Sequence, residues 1–219
     1  MSRRSRILVI NPNSNEAVTE GLRQAVAPLS FAEGPEIVCE TLKDGPIGIE
    51  TQEHADSVTI PLRRRVESAN DVDAFVIACY SDPGLHVARE GTERPVFGIA
   101  ECGVLTALTR ADSFGVIAIR SRSIPRHIRY LRQMDLMHRF AGERPLEMSV
   151  AESATGEDTL ARMVAVATEL KERDGAGAIV MGCAGMARHR RPLEDAVGIP
   201  VIDPTQAAVA MAIGTIAVR

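Results

Sequence analysis

The chain has 219 residues, with 25 Lys plus Arg against 29 Asp plus Glu and a formal net charge of −4. That mild acidity excludes the basic footprint of a nucleic-acid binder, and two Tyr, five Phe and no Trp leave few stacking platforms for bases or sugars. Apolar residues make up 45%, enough for a core, and a chain of this length buries roughly 70% of its unfolded surface as one large or two small domains. No run of 18 apolar residues is present, so no membrane span is expected. The opening Met1 to Arg6 leads into a short apolar run at Ile7–Ile10, too short for a signal-peptide core. The expectation is a cytoplasmic protein.

Short β-branched runs alternate with longer amphipathic stretches along the chain. The strand expectations, in order, are Ile7–Ile10, Ile37–Leu42, Ala74–Cys79, Val96–Ile99, Phe114–Ile119, Leu146–Val150, Ala178–Gly182 and Val201–Asp203. Most are almost continuously apolar, as buried parallel strands are. Between them, Ala55 to Ala69 has helical spacing, with a kink or split expected at Pro61. Ile124, Ile128, Leu131 and Met134 mark a second helix. Leu160, Met163, Val164, Ala167 and Leu170 mark a third, with Gly175 as its stop. The alternation predicts α/β architecture with parallel sheets.

The pattern also repeats. The run AFVIAC ending at Cys79 matches AIVMGC ending at Cys183, 104 residues later. Pro95-Val96-Phe97 matches Pro200-Val201-Ile202 at an offset of 105. Two pseudo-symmetric lobes are therefore expected, each a four-stranded parallel sheet flanked by helices, with the active site in the cleft between them. The first lobe would take residues 1–99 plus 205–219, and the second residues 100–204.

Ligands of open α/β sheets bind beyond the carboxyl ends of the strands. Those positions hold Asn11 to Asn15, Cys79 to Gly84, Glu101 to Gly103, Arg120 to Ser123 and Cys183 to Met186. Cys79 and Cys183 occupy equivalent points in the two halves. Opposed thiols suit inversion of a carbon beside a carbonyl, one thiolate removing a proton from one face while the opposite thiol returns one to the other. A free thiol has a pKa of about 8.5, within reach of both forms. A single cysteine at a strand end is often a small buried hydrophobe, but the symmetric pair favours the chemical role. Cys39 and Cys102 read as structural. None of the four cysteines forms a CxxC pair, so no metal site is expected.

The Asn-Ser turn reads either as substrate recognition through Asn13 and Ser14 or as an N-cap by Ser14. Asp82 reads as a helix cap more than a base, and Glu101 either as a group that orients or buffers the site or, in preference, as a cap of the helix that follows. Arg188, Arg190 and Arg191 read as a solvated helix face. Gly175-Ala176-Gly177 precedes a strand and is no dinucleotide fingerprint, and no P-loop is present.

Taken together, ILVINPNSN, GPIGIET at Gly45–Thr51, ACYSDPGL at Ala78–Leu85, PVFGIAE at Pro95–Glu101, GCAGMA at Gly182–Ala187 and PVIDP at Pro200–Pro204 resemble the Asp/Glu/hydantoin racemases, and within them the hydantoin racemase branch. The resemblance spans nearly the whole chain. It implies a cofactor-independent racemase with two α/β lobes, acting on 5-substituted hydantoins through Cys79 and Cys183. It implies substrate contacts from Pro12, Asn13 and Ser14, from Tyr80, Ser81 and Asp82, from Ser121, and from Ala184 and Gly185. Related decarboxylases lack the first cysteine, whereas this chain keeps both. Two segments depart from the family pattern, Ile119-Arg120-Ser121-Arg122 and Cys102-Gly103. An arginine in the first favours an acidic or ureido substrate. Allantoin, then aspartate or glutamate, are the competing substrates. A covalent cysteine cis–trans isomerase and a non-catalytic binding protein are the competing classes. The expected partner is a small molecule, with neither nucleic acid nor membrane, and the apolar C-terminal helix (Thr205 to Val218) points to a homo-oligomer.

Overall fold

The computed structural model describes residues 3–155 and 158–218. Two four-stranded sheets form, each entirely parallel. The first is ordered β2-β1-β3-β4, from β1 (Arg6–Asn11), β2 (Glu36–Thr41), β3 (Ala74–Ile77) and β4 (Val96–Gly98). The second is ordered β6-β5-β7-β8, from β5 (Phe114–Ala118), β6 (Phe140–Pro145), β7 (Ala178–Met181) and β8 (Val201–Ile202). The order is the same in both, so the internal repeat of the sequence is a repeat of topology.

The central strands read AFVI, FGVIA and AIVM, and every residue in them is buried. Continuous apolar runs are what a parallel strand covered on both faces requires. One face of the first sheet (Leu8, Ile10, Phe75, Ile77) packs against α3 (Thr59–Ser68) and α4 (Leu85–Glu90) through Leu62, Val66, Leu85 and Ala88. Its other face (Ile7, Val9, Ala74, Val76) belongs to a core continuous with the second sheet. Two helices lie in that shared core: α5 (Ile99–Leu108) and α10 (Pro204–Ala217) pack on each other. Their contact is close, since a Cβ on Gly103 would lie 2.8 Å from the Pro204 side chain. Beyond the second sheet, α8 (Thr159–Glu172) and α9 (Arg190–Val197) bury Met163, Ala167, Leu170, Leu193 and Val197.

Two sequence expectations need correction. The sixth strand is Phe140–Pro145, not Leu146–Val150. It is an edge strand, half-buried throughout, and its Glu143 and Arg144 hide its character from a search for apolar runs. Leu146, Met148 and Val150 are buried instead in the segment that follows, and Val150 lines the cleft. The stretch expected to kink or split at Pro61 is split into two helices, α2 (Gln52–Ser57) and α3, but the break falls at Val58. Pro61 falls in the first turn of α3, where a missing N–H leaves no intrahelical bond unmade. The helix at 124–133 forms as α6 (Ile124–Gln133), and α8 ends before Gly175, which takes φ +77°. The apolar side of α10 (Ala207, Ala208, Val209, Ala212) is buried within the chain, so it is not the free surface from which an oligomer was expected. Among the described residues no helix is long and apolar enough to cross a membrane.

Leu62 is fully buried and Leu105 on α5 is 39% exposed. Leu62→Ala is expected to lower the unfolding free energy by about 2–5 kcal/mol, and Leu105→Ala by about 1 kcal/mol or less. Urea denaturation of the two variants checks the placement of the second core.

Candidate active site

Chain geometry brings Cys79 and Cys183 together. Each follows the last residues of a central buried strand, β3 or β7, at the carboxyl edge of its sheet. Both line one small cavity with walls from both lobes.

The two thiols are supported in parallel ways. The Ser81 backbone N–H donates to the Cys79 thiol, and the Gly185 N–H donates to Cys183, in each case from two residues downstream. The chain turns tightly at both points, with Asp82 N–H donating to the Cys79 carbonyl at 2.9 Å and Met186 N–H to the Cys183 carbonyl at 3.2 Å. Ser153 Oγ lies 3.8 Å from Cys183 Sγ. Burial pushes the Cys79 thiol up to about 12, against which the Ser81 N–H and Arg126 act. Burial also raises Cys183, opposed by the Gly185 N–H and the Ser153 hydroxyl. Cys39, raised to about 11 by burial, and Cys102, raised further, are buried away from this cavity.

Of the residues expected from sequence, Asn13, Tyr80, Ser81, Ala184 and Gly185 stand on the wall with the two cysteines. Asn13 is buried and its Oδ1 accepts from Asn11 Nδ2 at 3.0 Å and Asn15 N–H at 2.9 Å. Its amide NH₂ group is therefore the part left for a ligand. Pro12, Ser14, Asp82 and Ser121 are not on that wall. Ser14 donates its N–H to Pro46, and the cap of α1 (Glu16–Val26) is Asn15, not Ser14. The Pro12 carbonyl is 2.2 Å from where a Gly45 Cβ would stand, which ties the Asn turn to the 45–51 loop.

Asp82 turns away from the thiols. At φ +42° it sends its carboxylate to the N-terminus of α5, accepting from Ala100 and Glu101 N–H at 2.9 Å each. It is a cap, as its sequence context suggested, though of a helix seventeen residues further along. Gly98 makes room for it, since a Cβ there would lie 2.3 Å from the carboxylate. Glu101 does not cap; its carboxylate accepts from Arg89 and Tyr130. Burial lifts the Asp82 carboxyl to about 7, with the two backbone N–H groups opposing.

The wall also holds residues that sequence patterning missed. Arg126 and His127, on α6, face the cavity with Ser123 and the apolar Val18, Ile49, Ile119 and Val150. Arg126 Nε–H donates to Ser81 Oγ at 2.9 Å, and burial lowers its pKa. His127 Nδ1 lies 2.5 Å from Glu143 Oε1, with both side chains almost fully buried, and its ring meets Tyr80 edge-on at 5.2 Å. Arg120 and Arg122, flagged from sequence as specificity candidates, both bind Glu50, at 3.5 and 2.5 Å. Arg188, Arg190 and Arg191 border a separate groove between α1 and α9. Among the described residues no group of three or more His, Cys, Asp or Glu is placed to hold a metal.

A family model described as Asp/Glu/Hydantoin racemase matches residues 7–212. The chain belongs to the Asp/Glu/hydantoin racemase family. The hydantoin racemase of Paenarthrobacter aurescens is 38% identical over 212 residues, covering 94% of this chain and 89% of that protein. Among solved structures, the allantoin racemase from Klebsiella pneumoniae superposes with a TM-score of 0.91 at 32% identity, over 98% of this chain and 88% of that one. The allantoin racemase from Pseudomonas fluorescens gives 0.90 at 28% identity, over 97% and 91%. The family member described here is thus an isomerase, a racemase.

The raised Asp82 carboxyl has a consequence for this racemase. Between about pH 4 and about pH 7 the folded chain holds a proton there that the unfolded chain has released, so stability falls as pH rises through that window. Asp82→Asn removes the titration. Its stability relative to the parent is expected to rise from pH 5 to pH 8, as read from urea midpoints.

Proposed function

We propose that this racemase inverts 5-substituted hydantoins by two-base proton transfer between Cys79 and Cys183. The observation that carries this reading is the equivalent placement of two thiols on opposite lobes, on one cavity wall, each with a backbone N–H two residues downstream. The hydantoin C5–H bond lies beside a ring carbonyl, so deprotonation gives a planar enolate. One thiolate takes the proton from one face and the opposite thiol delivers its own to the other, which leaves the two sulfurs with exchanged protonation. The Asn13 amide is the donor available to the developing enolate oxygen. The partly apolar wall desolvates the thiols, which raises both but makes a thiolate, once formed, a strong base. Allantoin is the second reading, supported by the likeness to the two allantoin racemases. It carries the same ring and reacts at the same carbon.

In D₂O, wild-type enzyme is expected to abolish the optical rotation of a single-enantiomer hydantoin and to place deuterium at C5. Cys79→Ser and Cys183→Ser are each expected to lower racemisation by about 10²–10⁴-fold, while each still exchanges the C5 proton of one enantiomer. Near-wild-type racemisation in either variant defeats the scheme. With Cys79 raised to about 12, kcat/KM is expected to climb through pH 7 to 9 without a plateau, measured against an enzyme-free blank.

A further inference from the structure

Part of the wall of the cysteine cavity serves a second cavity as well. Tyr80, Ser81, Arg126 and His127 also border a second cavity that opens to the surface, where Gln52 and Arg129 join them. Arg126 borders both cavities, so its guanidinium stands at the wall that a substituent on a ring held between the thiols would meet.

Arg126 is half-buried, and one nitrogen is accounted for. Its Nε–H is fixed on Ser81 Oγ. Among the described residues, neither terminal nitrogen has a hydrogen bond, and no carboxylate reaches ion-pair distance. Asp56 and Glu143 act on it only from further off, and Glu143 is held by His127. Its neighbours differ in this respect. Arg120 and Arg122 share Glu50, and Arg129 donates to Gln52 Oε1 at 2.7 Å. A half-buried guanidinium whose two terminal nitrogens make no hydrogen bond to the protein has donors available to an anionic partner. The partner that takes two parallel N–H donors is a carboxylate.

We propose that the preferred substrates carry a carboxylate on the C5 substituent, and that Arg126 receives it and sets this specificity. The proposal rests on the hydantoin racemase reading and narrows it. The Ser81 hydroxyl holds the guanidinium plane from behind, while the Ser81 N–H holds the Cys79 thiol. One residue thereby fixes the distance between the reacting carbon and the end of the side chain it accepts. The arginines that the sequence offered for an acidic substrate both pair with Glu50, Arg120 without a hydrogen bond from its buried Nε, and neither lines the cysteine cavity, whereas Arg126 on the next helix does.

The test compares 5-(2-carboxyethyl)hydantoin with 5-(2-carbamoylethyl)hydantoin, its neutral counterpart of the same size, and adds 5-benzylhydantoin. Racemisation is followed by polarimetry near pH 7.5. In the wild type, kcat/KM is expected to favour the carboxylate over the amide on the order of 10- to 100-fold. In Arg126→Gln that ratio is expected to fall to about 1, mostly through KM of the carboxylate substrate, and Arg126→Lys is expected to keep part of it. Added salt is expected to raise KM of the carboxylate substrate alone, a readout that needs no variant. A wild-type ratio near 1 overturns the proposal while racemisation of the benzyl compound leaves the parent reading standing. Removing the cation near Cys79 slows both substrates alike, so an unchanged carboxylate-to-amide ratio in Arg126→Gln also overturns it. If no hydantoin is racemised, both readings fall together.

Discussion

The apolar strand ends that place Cys79 and Cys183 bury the second and part-bury the first, and this desolvation raises both pKa values. The rest of the site answers that constraint. Backbone N–H groups from Ser81 and Gly185 reach the sulfurs, Ser153 adds a hydroxyl on one side, and Arg126 adds a cation on the other. A thiol left in apolar surroundings without such donors is inert. These donors sit on turns that a parallel strand makes as it leaves its sheet. The chemistry is therefore tied to topology, and the two halves carry equivalent parts because they share one strand order.

The second lobe meets the first through a row of arginines. Arg120 and Arg122 bind Glu50, Arg126 binds Ser81, and Arg129 binds Gln52. All four leave one stretch of chain after β5 and reach loops or helix starts of the first lobe. Exposed ion pairs of this kind add little to stability one by one. Their effect is on register: they fix α6 over the cavity mouth, which is where Arg126 and His127 come to bear.

Much of this was legible in the sequence. Continuous apolar runs located seven of the eight strands, and the repeated AFVIAC and AIVMGC runs located both cysteines and the paired lobes. The misses share a cause. β6 is a half-buried edge strand, so Glu143 and Arg144 dilute its pattern, and the apolar Leu146, Met148 and Val150 drew the assignment past it. Arg126 and His127 lie on a helix whose apolar spacing is clear, yet their value comes from Ser81 and Glu143, partners 45 residues before and 16 residues after them. No local pattern encodes such a pairing. Asp82 shows the opposite case: local context identified a cap, and only the tertiary fold shows that the capped helix is α5.

The surroundings of the two thiols are alike but not identical, with Ser81 and Arg126 beside one and Gly185 and Ser153 beside the other. Two mirror-image molecules have equal free energies in water, so no protein moves their equilibrium constant from one. In a two-thiol racemase the ratio kcat/KM must then be the same for both hands. The unequal walls can act only by trading terms, binding one enantiomer more tightly and turning it over more slowly by the same factor. Asymmetry around the sulfurs thus governs which enantiomer occupies the enzyme, never which one accumulates.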